Sequence, residues 1–178
     1  MNLIRLFRRK YLSIFKPLKY AKLIGVNFPV GGLHIYGKVS WSTEPWIITL
    51  GENVFITDGC KFITHDGGTL IFRNSIPDLE ITKPIVVGDN VYFGNNVIVL
   101  PGVHIGNNVV IGAGAVVSRD IPDNSIAVGV PARVIKTTDQ YLNKIKTESL
   151  HLGHLKGKQK DDALKKVFGY SGNNGIYI

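Results

Sequence analysis

The feature that most constrains the fold of this chain is a period of six residues. From Val87 the sequence runs VGDNVY, FGNNVI, VLPGVH, IGNNVV, IGAGAV, VSRDIP without a gap, and each hexad has an apolar first position and a small or aliphatic fifth position. A helix with 3.6 residues per turn would spread these positions around its surface. A short strand followed by a two-residue corner of Gly, Asn, Asp or Pro would place them on one side. The period therefore predicts a solenoid of stacked hexads.

The period is interrupted once. An earlier block, LGENVF, ITDGCK, FITHDG, begins at Leu50, and its start lies 37 residues before Val87, so the two blocks are out of phase. The pattern first fails at Asp66, which takes a fifth position that is apolar elsewhere. Residues 66–84, punctuated by Gly and Pro, are therefore predicted to form a loop that leaves the coil. Long loops on a rigid scaffold are often functional.

The positive charge of the chain belongs to its two ends. The net charge is +8, yet residues 23–135 carry six basic and nine acidic side chains, whereas residues 1–22 carry seven basic and none acidic. This distribution argues against a nucleic-acid surface on the body of the molecule, so we expect no nucleic-acid partner. No apolar run is long enough to span a membrane, and the single cysteine excludes an intrachain disulfide. These features predict a cytoplasmic protein, with peripheral contact at the inner face of the cell membrane as a further option.

Both ends are predicted to be helical, which gives three regions. Residues 1–23 form a basic amphipathic helix, broken near Lys16 by Pro17, that either lies on anionic membrane or packs on its own domain. Residues 24–136 form the coil, and residues 137–178 form a helical tail. In the tail, Thr138 is expected to cap one short helix, and a second runs through DDALKKVF to Gly169. The final SGNNGIYI is expected to be loosely held.

Several motifs occur together in a way that resembles a known family. The hexads, the loop headed by THD, the return ITKPIVVGDNVYFGNNVIVLPGVHIG and the ending IGAGAVVSRDIPDNSIAVGVPARVI are similar to the hexapeptide-repeat acyltransferases over residues 24–136. Within them, the chain resembles the sugar O-acetyltransferases of the galactoside, maltose and colanic-acid exopolysaccharide type. The resemblance implies an all-β, left-handed parallel β-helix with three hexads per coil, assembled as a homotrimer. It also implies acetyl transfer from acetyl-CoA, without a metal, to a sugar or polysaccharide intermediate of capsule, exopolysaccharide or O-antigen.

One histidine lies where chemistry is expected. His65 stands where the coil stops and the loop begins, and the resemblance matches it to the general base of the family. A neutral imidazole suits removal of a proton from an acceptor hydroxyl near pH 7. The residue that orients it stays open among Asp58, Asp66, Glu80 and a residue of a neighbouring subunit. Direct transfer needs no nucleophilic cysteine, and Cys60, at a fifth position, is expected to pack in the core.

The other four histidines have no predicted role in catalysis. A surface position is expected for His104, His151 and His154, and His34 precedes the clear repeats and is not placed by the pattern.

The coenzyme site is implied by the resemblance alone. It has positions that line the pantetheine arm and basic positions that meet phosphates, for which arginine offers a bidentate fork. These positions are Tyr92, where the family often has tryptophan, and Asn95, Ala113, Ser118, Arg119, Arg133 and Lys136.

Three other functions were weighed. An N-acetyltransferase of an amino sugar or sugar nucleotide would share the base and the donor site, and the loop would decide between the two. A non-catalytic hexapeptide-repeat scaffold, binding membrane or a partner through its basic ends, would neither bind coenzyme nor depend on His65. A metal hydrolase of the γ carbonic anhydrase type is disfavoured because it needs three histidine ligands, and only His65 and His104 lie in the repeats.

Overall fold

The structure, a computed structural model, describes residues 3–170, with side chains from residue 6 onward. The predicted loose end, residues 171–178, lies outside the described residues. The chain divides into two compact units, Met1–Tyr141 and Leu142–Ile178. The helices are α1 (Leu3–Phe15), α2 (Pro17–Ile24), α3 (Thr138–Glu148) and α4 (Gly157–Val167). The strands are β1 (Leu33–Tyr36), β2 (Val39–Ser40), β3 (Ile48–Leu50), β4 (Val54–Thr57), β5 (Cys60–Phe62), β6 (Ile85–Val87), β7 (Val91–Phe93), β8 (Ile98–Val99), β9 (His104–Ile105), β10 (Val109–Ile111), β11 (Val116–Val117), β12 (Ser125–Val128) and β13 (Arg133–Thr137).

Successive strands pass in turn to three different sheets. The sheet orders are β1-β4-β7-β10-β12-β13, β2-β5-β8-β11 and β3-β6-β9. Partner residues in the regular part are 18 residues apart, as in Val91 with Val109 and Ile98 with Val116, so three hexads make one coil. The pairing is parallel except between β12 and β13, which are antiparallel. The stacking of hexads predicted from the period is confirmed, and so is the parallel pairing that the resemblance implies. The antiparallel pairing of β12 with β13 was not predicted from the hexads.

The insertion in the coil is closed at its base. Phe55 pairs with Tyr92, 37 residues further on, instead of the regular 18. At the base of the insertion, His65 and Thr82 form an antiparallel bridge, flanked by two backbone hydrogen bonds of 2.8 and 2.9 Å. The loop begins with a tight 3₁₀ turn, Gly67–Phe72. The register of the strands therefore continues past the loop as though it were absent.

The inward positions of the hexads form the core. All twelve first- and fifth-position side chains from Val87 to Ile121 are at most 4% exposed. Cys60 is buried among them, and its thiol donates a hydrogen bond of 3.3 Å to the carbonyl of Gly94. Burial raises the pKa of the Cys60 thiol, which disfavours a thiolate and agrees with the predicted packing role.

One corner of the coil carries a ladder of asparagines. Asn53, Asn90, Asn108 and Asn124 have φ angles of 55 to 57°, a left-handed conformation that asparagine tolerates better than most residues. Their side-chain amides join successive coils through hydrogen bonds of 2.8 Å, 3.1 Å and 3.0 Å. Because Asn53 precedes the loop and Asn90 follows it, the ladder ties together the coils on either side of the insertion.

The two N-terminal helices are separated at Pro17, as the sequence predicts. The first helix, α1, ends at Phe15, and Pro17 opens α2, because proline fits the first turn of a helix but not its interior. The second helix, α2, buries Ala21 in the core and ends at Ile24, where Gly25, with φ 99°, forms the C-terminal cap. Hence α2 packs on its own domain, whereas α1 leaves large apolar side chains exposed. No helix among residues 3–170 is both long and apolar enough to cross a membrane.

The first residues of the two C-terminal helices differ from those predicted. The cap of α3 is Thr137 and not Thr138, because the Thr137 hydroxyl accepts from the Gln140 amide N–H at 3.2 Å while the Gln140 side chain accepts from the Thr137 N–H at 3.0 Å. This is a capping box. The next helix, α4, begins at Gly157, four residues before the predicted start, and Gly169 follows it with φ 65° as expected.

Candidate active site

His65 has a carboxylate partner from the preceding coil. Its Nδ1 lies 2.9 Å from Oε2 of Glu44, and the two side chains are 38% and 25% exposed. Glu44 stands at the start of a 3₁₀ turn, Pro45–Ile47, which leads into β3. His65 follows β5 at the base of the loop. Two consecutive coils therefore each contribute one residue of the pair.

Hydroxyl groups hold the carboxylate in place. Thr64 donates from its hydroxyl to Oε2 of Glu44 at 2.7 Å, and the Thr43 hydroxyl donates to the other carboxylate oxygen. The hydroxyl of Ser42 accepts a hydrogen bond from the Thr64 N–H at 3.3 Å, and it stands 3.5 Å from His65 Nδ1. Ser42 has a φ of 61°, an uncommon conformation of the kind that often marks functional sites.

The negative charge of Glu44 determines which ring nitrogen of His65 is unprotonated. The hydroxyls of Thr43 and Thr64, followed by His65, lower the pKa of Glu44 from 4.5 to about 2. The carboxylate is therefore ionised at neutral pH and only accepts hydrogen bonds. Because Nδ1 must donate to it, a neutral His65 ring carries its proton on Nδ1. Nε2 is left with a lone pair and can take a proton from a substrate.

The three carboxylates that the sequence offered as partners are engaged elsewhere. Asp66 accepts a hydrogen bond from the Gly68 N–H at 2.8 Å, and Asp58 accepts one from the Lys38 N–H at 2.7 Å. Glu80 pairs with Arg73 at 2.6 Å inside the loop. The carboxylate that contacts His65 within the chain is that of Glu44, which sequence reasoning missed.

Glu44 was not recognised from the sequence because it lies in the first coil, whose length is irregular. Val39 pairs with Cys60, 21 residues further on, whereas partners in the regular coils are 18 apart. Applying the same 21-residue step to Glu44 leads to His65. The first coil lacks the hexad pattern, so its register could be read only after its strands had been placed.

A groove lies beside His65 on the loop side, and we call it the loop groove. It has a volume of about 470 Å³ and contains the His65 ring, the start and return of the loop, and one corner of three stacked coils. Its lining residues are Ile63, His65, Asp66, Gly67, Ile81, Lys83, Leu100, Pro101 and Ser118. Ser118, predicted to line the coenzyme site, thus shares this groove with His65, and Lys83 adds a cation that the sequence analysis did not single out.

A second groove lies on the Nδ1 side of the same pair, and we call it the helix groove. It has a volume of about 590 Å³ between the N-terminal helices and the residues around Glu44. Its lining residues are Leu6, Arg9, Lys10, Ser13, Tyr20, Ile24, Ser42, Thr43, Pro45 and Trp46.

The other predicted coenzyme residues lie at several places on the coil. Asn95 and Ala113 are exposed at one corner of successive coils, where the Gly114 N–H donates to the Asn95 carbonyl at 2.8 Å. Arg133 and Lys136 lie on β13. Tyr92 is an outward residue of β7 that is 42% exposed.

The remaining basic position, Arg119, is exposed beside Ser118, after β11. Basic side chains are thus available near the end of the coil, and their contacts with a coenzyme stay a prediction.

Histidines outside the site behave largely as expected. His104 is exposed on β9, and His151 and His154 are exposed in the C-terminal unit. His34, which the pattern did not place, lies on β1 and stacks on Phe55 with ring centres 4.6 Å apart. Among the described residues, no group of three or more His, Cys, Asp or Glu side chains is placed to hold a metal ion.

Comparison with known proteins agrees with this architecture. Residues 84–119 match the family model described as bacterial transferase hexapeptide (six repeats). In solved structures, the chain is similar to a maltose O-acetyltransferase from Clostridium difficile 630, with 27% identity, a TM-score of 0.53, and 76% of this chain and 89% of that one covered. A galactoside acetyltransferase in complex with coenzyme A has 26% identity, a TM-score of 0.56 and 87% of both chains covered.

A curated relative is closer in sequence. Protein CapG of Staphylococcus aureus is 51% identical over 108 residues, which are 61% of this chain and 63% of that protein. The chain therefore spans somewhat less than two thirds of that relative's length. Residues 84–119 thus match the repeat of the bacterial hexapeptide transferases, and the chain is similar to solved acetyltransferases that carry this fold.

Proposed function

We propose that this protein is an acetyl-CoA-dependent O-acetyltransferase that acts on a sugar or polysaccharide intermediate, with His65 as general base. The observation that carries the proposal is the Glu44–His65 pair, which leaves Nε2 unprotonated beside a groove that also contains Ser118. The solved neighbours named as maltose and galactoside acetyltransferases support a sugar acceptor. We propose more specifically that the acceptor is an intermediate of capsule, exopolysaccharide or O-antigen, as the family resemblance implies.

His65 and Glu44 have different roles in direct acetyl transfer. Acetyl-CoA supplies a thioester carbonyl. His65 Nε2 takes the proton of the acceptor hydroxyl as its oxygen attacks that carbonyl, and the imidazolium then returns a proton to the departing sulfur. The ionised Glu44 stabilises the transient positive charge on the ring through Nδ1 and keeps the ring in one orientation. No protein nucleophile is needed, in keeping with the buried thiol of Cys60.

The coenzyme is proposed to lie along the corner that leads to the loop groove. The exposed corner at Asn95 and Ala113 offers backbone groups to the pantetheine arm. Arg119, Arg133 and Lys136 are exposed or half-buried cations suited to the phosphates. The neighbour solved with coenzyme A supports this class of donor.

We propose further that the coil is left-handed and that three chains assemble, as the family resemblance implies. Support for assembly comes from the loop, where Leu70, Ile71 and Phe72 are 63, 77 and 54% exposed on the single chain. Adjacent exposed apolar side chains of this size are typical of protein contacts. Sedimentation should give three times the chain mass, and a monomer at assay concentration would contradict the trimer.

The central experiment is His65→Ala with acetyl-CoA and a panel of sugars, amino sugars and sugar nucleotides, followed by release of free thiol. We expect a loss of about 10² to 10⁴ in the rate, the range for removal of a general base. His104→Ala, an exposed histidine of the coil, is the matched control and should keep the full rate. An unchanged rate for His65→Ala would exclude this mechanism, and acetylation of amines alone would favour the N-acetyltransferase.

We also propose that α1 holds the protein at the inner face of the cell membrane. Phe7, Tyr11 and Ile14 recur at helical spacing along α1 and are between 49 and 65% exposed, while residues 1–22 contain seven basic side chains and no acid. A basic helix with an exposed apolar face suits anionic lipid. Phe7→Ser combined with Tyr11→Ser should abolish sedimentation with phosphatidylserine vesicles and leave acetyl transfer to a free acceptor unchanged. Equal vesicle binding by the variant would remove this part of the proposal.

A further inference from the structure

The helix groove is lined by two residues that lie next to the candidate base. Its inner wall includes Ser42 and Thr43, whose hydroxyls lie 3.5 and 3.3 Å from His65 Nδ1. The loop groove, which contains Ser118, lies on the side that the His65 ring itself lines. The ring thus stands between two grooves, and its side chain is 38% exposed.

The charged side chains that line the helix groove are all basic. Arg9 and Lys10 of α1 line it, and no acidic residue is among its described lining residues. The nearest carboxylate, Glu44, already accepts hydrogen bonds from Thr43, Thr64 and His65. Neither cation has a described carboxylate partner. Two uncompensated cations at a concave surface favour an anionic ligand.

The opposite wall of the groove suits a sugar ring. Trp46 is 63% exposed, although the other tryptophan, Trp41, is buried and stacks on Phe62. An exposed indole beside polar groups provides a flat apolar surface for the C–H face of a pyranose, with an N–H at its rim. Ser13 and Tyr20 add hydroxyls to the same lining.

We propose that the helix groove is the acceptor site and that it selects a sugar carrying an anionic group, either a phosphate or a carboxylate. Trp46 packs on the sugar ring, and Arg9 and Lys10 bind the anionic group. The acceptor hydroxyl then reaches Nε2 of His65 over the exposed edge of the ring, while the thioester approaches from the loop groove. This inference rests on the proposed acetyl transfer and names the acceptor class for the same site.

The α1 helix thereby has two separate faces. Leu6, Arg9, Lys10 and Ser13 follow a spacing of three and four residues and turn toward the groove. The exposed apolar residues Phe7, Tyr11 and Ile14 follow the same spacing on another side of the helix. Substitutions on one face therefore leave the other face available, which makes the acceptor site and the membrane contact separable by experiment.

The first test measures binding with the donor site already filled. In saturating coenzyme A, the wild-type protein is titrated with glucose 1-phosphate, glucuronic acid and methyl glucoside, and tryptophan emission is recorded. We expect the phosphate or the carboxylate probe to bind at least tenfold more tightly than the neutral glucoside. The emission change should disappear in Trp46→Phe, since the remaining tryptophan is buried. Equal affinity for charged and neutral probes, or no binding of any probe, would overturn the inference.

The second test removes the two cations. Arg9→Ala with Lys10→Ala should raise the dissociation constant of the preferred anionic probe by about 10- to 100-fold, as expected for loss of charge-assisted contacts. Arg8→Ala with Lys16→Ala removes the same charge from the same region outside the groove and is the matched control. If both double variants weaken binding equally, the effect is one of net charge, and the groove assignment is wrong.

Failure of this inference can be told from failure of the proposed function. His65→Ala should bind the probes as the wild type does and lose acetyl transfer. If it keeps acetyl transfer, the general-base proposal fails whatever the probes show. If it loses acetyl transfer but wild-type binding shows no preference for charge, only the acceptor assignment fails.

Discussion

Replacing Glu44 by glutamine tests the coupling between the two coils that form the candidate site. The change keeps the size of the side chain but removes the negative charge 2.9 Å from His65 Nδ1. A hydrogen bond to a charged group contributes about 1.5 to 3 kcal/mol. Because 1.4 kcal/mol corresponds to a factor of ten, we expect kcat for acetyl transfer to fall by about 10- to 100-fold.

The pH profile separates an electrostatic role from a structural one. Without the carboxylate, the imidazolium formed during proton transfer loses its stabilising neighbour. The acid limb of kcat/KM should therefore move to lower pH as the plateau falls. A variant that merely loosened the site would lower the plateau and leave the acid limb in place.

The assay is thiol release from acetyl-CoA across pH 5 to 9 with a fixed acceptor, and a matched control lies in the loop. Glu80 is also a carboxylate with a threonine hydroxyl and a cation as partners, yet it has no described contact with His65. Glu80→Gln should therefore leave kcat and the acid limb unchanged. The reasoning is refuted if Glu44→Gln keeps the wild-type rate and profile, or if both variants lose activity to the same extent.

Three further outcomes follow from contacts already described. The pKa of Glu44 is depressed from 4.5 to about 2, so its contribution to stability, at most about 3 kcal/mol, is present above pH 4.5 and is lost as the pH falls toward 2. Urea denaturation should show the stability gap between wild type and Glu44→Gln narrowing over that window, and a constant gap would contradict it. Asn108→Ala and Asn108→Gly both lose two ladder contacts, but alanine also places a Cβ at φ 56°. The free energy of unfolding of Asn108→Ala should therefore be about 1 kcal/mol lower than that of Asn108→Gly. A higher melting temperature for Asn108→Ala than for Asn108→Gly would contradict this strain. Arg133→Ala should weaken coenzyme A binding by about 10- to 100-fold with an unchanged melting temperature, and equal wild-type affinity for coenzyme A and dephospho-coenzyme A would count against a contact with the 3′-phosphate.

The repeating coils were predictable from sequence, whereas the register of the first coil and the packing of the N-terminal helices on it were not. The inward positions from Val87 to Ile121 follow from the period because each hexad must bury the same two side chains. His65 was found because the pattern fails beside it. Glu44 was not found because its coil has a 21-residue step and no hexads. The groove between α1, α2 and Trp46 could not be found either, since it depends on how two helices pack on the coil.

The loop base has a consequence for how this molecule could acquire new substrates. His65 and Thr82 are bridged, so the two ends of the insertion meet at His65, the proposed general base. Strand register and the asparagine ladder both continue from the coil before the insertion to the coil after it. The length and composition of this segment can therefore vary while the backbone at His65 keeps its place. Changes of acceptor could accumulate there without a new scaffold having to fold.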